Sequence, residues 1–206
     1  MKKSIAILIS AAFLFTACTS HNKKILVYAN SDIQVDASQK NIVVTDGTTQ
    51  EEKELNFPGS DPIVLNIQGP SGKYTLEAKE DGYYIANLKT DTVVGSLQHV
   101  GTTARTRVTQ DQLKSNLDSL NKLIRDENVS AANKNYFIAP GKIVKLSDYT
   151  KVKVFGPFVS IPSSFDAGSV SEIYKFYNLS EIRDIIGKLT EMSKYEEPGE
   201  NQGQEK

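Results

Sequence analysis

From residue 25 to about residue 100 apolar and polar positions alternate in short runs: 25–29, 41–45, 52–57, 63–68, 74–78, 83–88 and 92–98. Period-two alternation is the mark of half-buried strands. Ile63, Leu65 and Ile67 fall on one face of their run, and Val64, Asn66 and Gln68 fall on the other. One face is therefore expected to be buried and the other wet. Turn chemistry separates the runs. Asp46-Gly47 and Asp81-Gly82 suit tight hairpins, while Pro58-Gly59, Asp61-Pro62 and Gly69-Pro70-Ser71-Gly72 suit wider turns. Seven strands at this spacing predict a β-sandwich-like part over 24–104, immunoglobulin-like or a related barrel.

The period changes after residue 105. Thr109 and Gln112 form a capping-box pattern, and Leu113, Leu117, Leu120 and Ile124 recur at helical spacing to give one apolar stripe. A second helix is predicted over 179–194, opened by Asn178 and Glu181, with Ile182, Ile185, Ile186, Leu189 and Met192 in line. Between the helices, 136–138, 142–146, 152–155 and 158–161 read as strands broken by Pro140-Gly141 and Gly156-Pro157, and 170–177 are ambiguous. The expectation is an α+β chain with a β-rich part over 24–104 and an α/β part over 105–195. Whether these are two domains or one turns on Gly101-Thr102-Thr103. Residues 196–206, rich in Glu, Gln and Gly without periodicity, read as a disordered tail.

The N-terminus carries a different pattern. Met1-Lys2-Lys3 leads into an apolar run over 5–15 and ends at Phe15-Thr16-Ala17-Cys18. A bilayer span takes about 20 apolar residues, which this run lacks. The segment resembles the signal of a bacterial lipoprotein precursor. Phe15 stands three places before the cysteine, where Leu is commonest, with Leu14 one place earlier. The resemblance implies a signal peptide over 1–17, removed once Cys18 carries a diacylglycerol. The alternative is an ordinary secreted protein cut after Ala17, with Cys18 incidental. Residues 18–23 then form the lipidated cysteine and a short tether, which keeps the body near the membrane. Thr19 follows the cysteine with no acidic run behind it, so the expected location, in a cell with two membranes, is the outer membrane, facing the periplasm.

Composition narrows the partners. Without residues 1–17 the chain has 189 residues, with 22 basic side chains against 25 acidic ones, a net charge of −3. No basic bias points to nucleic acid. Cys18 is the sole cysteine, so acylation leaves no thiol for a disulfide, a metal or a nucleophile.

Catalytic signatures are thin. The two histidines are His21, in the tether, and His99, at a strand end, and neither has a second histidine at helical spacing for zinc. His99 with Asp91 and Ser96 makes a trio that a chain rich in such residues offers by chance. Gly69-Pro70-Ser71-Gly72-Lys73-Tyr74 lacks the spacer of a phosphate loop and has Tyr74 where Ser or Thr must hold magnesium. The carboxylates Glu51-Glu52, Glu77, Glu80 and Asp81 read as solvated turn and edge residues, and no calcium loop occurs.

Three features stand above this background. Arg105 and Arg107 alternate in a hydroxyl-rich segment and, if extended, face one side, where they can clamp a carboxylate or phosphate. Tyr83-Tyr84 and Tyr174, Phe176 and Tyr177 offer either a sugar-stacking platform or packing. Phe155-Gly156-Pro157-Phe158 with Ile161-Pro162 is an apolar loop that either enters a partner or packs on a strand kink. The reading that follows is a membrane-anchored envelope lipoprotein acting by non-catalytic binding or assembly, with no cofactor or metal. Its partners are the membrane, through the lipid on Cys18, and an envelope protein. The alternatives are a module for glycans or anionic ligands and, third, a small envelope hydrolase.

Overall fold

The computed structural model describes residues 21–45, 47, 49–70, 72–98, 109–158, 161–162, 170 and 172–194. The first half gives β1 (Asn22–Ala29), β2 (Ile33–Asp36), β3 (Asn41–Val44), β4 (Glu51–Pro58), β5 (Ile63–Gly69), β6 (Gly72–Ala78), β7 (Gly82–Asn87) and β8 (Val93–Leu97). The second half gives α1 (Gln110–Leu123), β9 (Asn135–Ile138), β10 (Lys142–Ser147), β11 (Val152–Phe155), β12 (Glu172–Asn178) and α2 (Leu179–Lys194). The chain is thus β-rich and of the α+β class, as its periodicities predict.

The strands form three four-stranded sheets. The central one has the order β10-β7-β1-β4, the first flanking sheet β2-β3-β5-β6 and the second flanking sheet β11-β12-β8-β9. Each is mixed, with one parallel pair: β1 with β7, β3 with β5, and β11 with β12.

Alternation along each strand sets the layers. On β1, Ile25, Val27 and Ala29 join Ile42, Leu65, Ile67 and Leu76 of the first flanking sheet in one core. Leu26 and Tyr28 face the other way and meet Val93, Tyr136, Ile138, Tyr174 and Phe176 of the second. The central sheet is therefore apolar on both faces, which is why β1 reads as a continuous apolar run rather than an alternating one. On the far side of the second flanking sheet, Val94, Phe137 and Tyr177 pack against Leu120, Leu123, Ile182 and Ile186 of the helices. Sheet, sheet, sheet and helix pair follow one another.

Both helices begin where their polar residues direct. The Thr109 side chain accepts from the Gln112 backbone and the Gln112 side chain accepts from the Thr109 backbone, completing the capping box of α1. At the start of α2, the Asn178 side-chain carbonyl instead accepts from the Lys89 ammonium.

Several expectations change. β2 is a strand that the alternation of Ile33-Gln34-Val35-Asp36 was too short to reveal. The ambiguous stretch around 170–177 contains β12. A strand over 158–161 is not formed at Phe158 or Ile161, the described residues of that run. Asp81-Gly82 links β6 to β7, and Asp46-Gly47 lies between β3 and β4, but these strands belong to different sheets, so neither pair closes a hairpin. The sheets also do not divide at residue 104: β10 is an edge of the central sheet, and β8 sits between β12 and β9.

Candidate ligand-binding cleft

Because β1 and β7 are parallel, their carboxyl ends lie side by side, and the chain leaves both at the same place. Asn30 and Ser31 follow β1, while Leu88, Lys89 and Thr90 follow β7. A second parallel pair, β3 with β5, ends nearby at Val44 and Gly69. Pro140 and Gly141 enter β10 beside them. These ends frame an open cleft of about 430 Å³, completed by Pro70, Tyr74, Thr75 and Lys142.

Asn87 shapes the rim. This fully buried amide donates to Asp91 O at 2.9 Å and Ile138 O at 2.8 Å, and its carbonyl accepts from Lys89 N at 3.1 Å. The 87–91 turn is thereby held on one side chain, as a buried amide requires. Gly141 adopts φ +70° and its amide donates to Asn87 O at 2.7 Å, which brings backbone rather than a side chain against the Tyr74 ring.

The polar groups differ in how they are satisfied. Lys89 is buried, with its ammonium donating to Asn178, lying 2.9 Å from Asp91 Oδ1 and 5.2 Å above the Phe158 ring, so its charge is held inside the protein. Asn30 Nδ2 donates to Thr90 Oγ1 at 3.4 Å. The Ser31 hydroxyl, the Tyr74 hydroxyl and the Lys142 ammonium line the cleft with no partner among the described residues, although Ser31 is only 6% exposed. Burial raises the Tyr74 pKa, so the phenol stays protonated and able to donate. No described lining residue is a carboxylate.

The chain matches no family model, no curated protein and no solved structure.

Of the residues singled out in the sequence, Cys18, His99, Arg105 and Arg107 lie outside the described residues. The aromatic runs are packing. Tyr83 and Tyr84 are buried on opposite faces of β7, Tyr174 and Phe176 sit in the core between sheets, and Tyr177 packs under the helices. The first part of the apolar loop is internal, with Phe155, Gly156 and Pro157 buried and Phe158 meeting Tyr28 edge-on at a centroid distance of 6.1 Å, whereas Ile161 is half-buried and Pro162 exposed. The carboxylates are tied locally. Glu51 accepts from Ile33 N, Glu80 pairs with Lys145 at 2.6 Å, and Asp81 pairs with His21 and with Lys23 at 3.1 Å. Glu52 accepts from Phe158 N at 3.3 Å, and burial raises its pKa; the buried Lys175 nearby is lowered by the same cause. Among the described residues no three His, Cys, Asp or Glu side chains gather to hold a metal, and no helix is long and apolar enough to cross a membrane.

Sequence reasoning missed the cleft residues. Asn30-Ser31 and Lys89-Thr90 each close an apolar strand with polar turn residues, a visible signal, but only the parallel pairing of those strands brings the two turns together.

Proposed function

We propose that the protein is a membrane-anchored envelope lipoprotein that binds a small ligand in the cleft at the carboxyl ends of β1 and β7, without catalysing its conversion. The observation carrying this reading is the set of polar groups without a protein partner, Ser31, Tyr74 and Lys142, that open on one concave surface, where a ligand can engage them without breaking an internal hydrogen bond. The anchor rests on the sequence of residues 1–18, and the outer-membrane reading rests on Thr19 with no acidic run behind it. Only three residues separate Cys18 from Asn22, where β1 begins, which supports a body held close to the lipid, with the cleft at the other end of that eight-residue strand, about 23 Å along it. The core shared by the central and first flanking sheets supports a sandwich-like pairing of those two sheets. Their parallel pairs depart from the antiparallel immunoglobulin pattern.

Assembly with an envelope protein draws less support. The described large apolar side chains that are exposed, Val64, Tyr149 and Met192, sit on separate elements rather than in one patch. Photo-crosslinking in intact cells tests the choice, with the reactive side chain placed at Thr90 beside the cleft or at Met192 on α2. A small-molecule adduct from Thr90 supports binding; protein adducts from Met192 alone would favour assembly. Palmitate incorporation that survives in the native chain and disappears in Cys18→Ala tests the anchor.

A further inference from the structure

Resting on the binding reading above, the geometry points to an acidic sugar unit as the ligand class of the cleft. Its volume of about 430 Å³ is that of a small-molecule site, which spans about 300–1,000 Å³. Three requirements follow from its walls. Pro70, Tyr74 and Pro140 present flat apolar surfaces, so the ligand needs an apolar face to cover them. A ligand seated here covers the Ser31 and Tyr74 hydroxyls, so a purely apolar one would take them from water and give nothing in return. Lys142 brings an unpaired positive charge into a lining whose described residues include no carboxylate, in a mature chain that is net acidic, so an anionic group is favoured and a cationic ligand is repelled.

A sugar ring meets the first two requirements, because its C–H face is apolar and its hydroxyl rim is polar. A carboxylate or phosphate on that ring meets the third. An aromatic acid lacks the hydroxyl rim, and a neutral sugar lacks the charge. Lys89 supports the assignment by exclusion: its ammonium is turned to Asn178, Asp91 and Phe158, so the anion is left to Lys142.

The test is saturation-transfer NMR on the full chain in detergent, with D-glucuronate, glucose 6-phosphate, D-glucose and inorganic phosphate as separate probes. Transfer to glucuronate or glucose 6-phosphate, at least about tenfold tighter than to glucose, supports the inference, and the tighter of the two identifies the anionic group. Lys142→Gln should remove that preference while leaving the thermal melting point unchanged, and Tyr74→Ala should weaken both acidic sugars and glucose. Glucose bound as well as glucuronate overturns the inference but leaves the binding reading intact. Phosphate bound as tightly as glucose 6-phosphate overturns the sugar assignment. Absence of transfer from every probe overturns the inference, whereas the binding reading fails separately, when no small-molecule adduct forms from Thr90.

Discussion

The two ends of the central sheet treat polar groups in opposite ways. At the amino end of β1, Lys23 is fully buried and its ammonium donates to Gly59 O at 3.2 Å, Ser60 O at 3.1 Å and Asp81 Oδ1 at 3.1 Å. His21 also engages Asp81. Gly82, opposite Lys23 in the β1–β7 register, lets the backbone pass Ser147 O. Every donor of that ammonium is taken, and nothing is left to offer a ligand. At the carboxyl end, Asn87 does similar work inside the rim, but Ser31, Tyr74 and Lys142 beyond it are left facing open space. Buried charge by itself does not mark a site; lack of an internal partner does. A lysine with three acceptors is a clamp, and one with none beside an open cleft is free to meet a ligand.

If that contrast is right, the closed end governs stability and the open end governs binding. The largest effect is expected from Gly82→Ala. The residue has φ +138°, and an added Cβ would fall 2.2 Å from Ser147 O, so backbone strain and overlap together should cost about 3 kcal/mol or more in urea unfolding. Lys23→Ala should follow at about 2–3 kcal/mol, because it strands two backbone carbonyls in one step and leaves Asp81 to His21 alone. Neither change should alter ligand affinity once the protein is folded. Asn87→Ala bridges the two ends. It should cost about 2 kcal/mol and also weaken binding, since the 87–91 turn loses its central side chain. Lys142→Gln should shift stability by less than about 0.5 kcal/mol, as an exposed, unpaired side chain does, and its effect should appear in ligand affinity alone.

Acid sharpens the comparison further. Hydrogen bonds from His21 and Lys23 hold the Asp81 pKa below the ordinary aspartate value of 3.8. A carboxylate depressed in the folded state lends stability above its unfolded pKa and loses it as pH falls through the folded one. The gap in urea midpoint between the native chain and Asp81→Asn should therefore be widest near neutrality and close below about pH 4.

The elements were legible where one periodicity held without interruption. α1 and α2 follow their apolar stripes and, for α1, its capping box; β5 follows the alternation of Ile63, Leu65 and Ile67. β12 was not legible, because Tyr174-Lys175-Phe176-Tyr177 is buried or half-buried throughout and places a lysine inside a strand. Sheet membership was hidden for a different reason. Parallel neighbours such as β1 and β7 are distant in the chain, and no turn residue announces their pairing. The cleft depends on that pairing, so its residues appeared in the sequence as ordinary turns. The arginines at 105 and 107 drew attention by spacing alone, whereas Lys142 carries no local pattern that would single it out.

The most direct test of the account is hydrogen exchange of the full-length protein, read by mass spectrometry with and without a low-molecular-weight extract of bacterial cell envelopes. Slower exchange around Asn30-Ser31, Leu88-Lys89-Thr90 and Gly141-Lys142, with no change around Lys23, Gly59 and Asp81, is the predicted result. Unchanged exchange at the carboxyl end of β1, or protection confined to the Lys23 clamp, would contradict it.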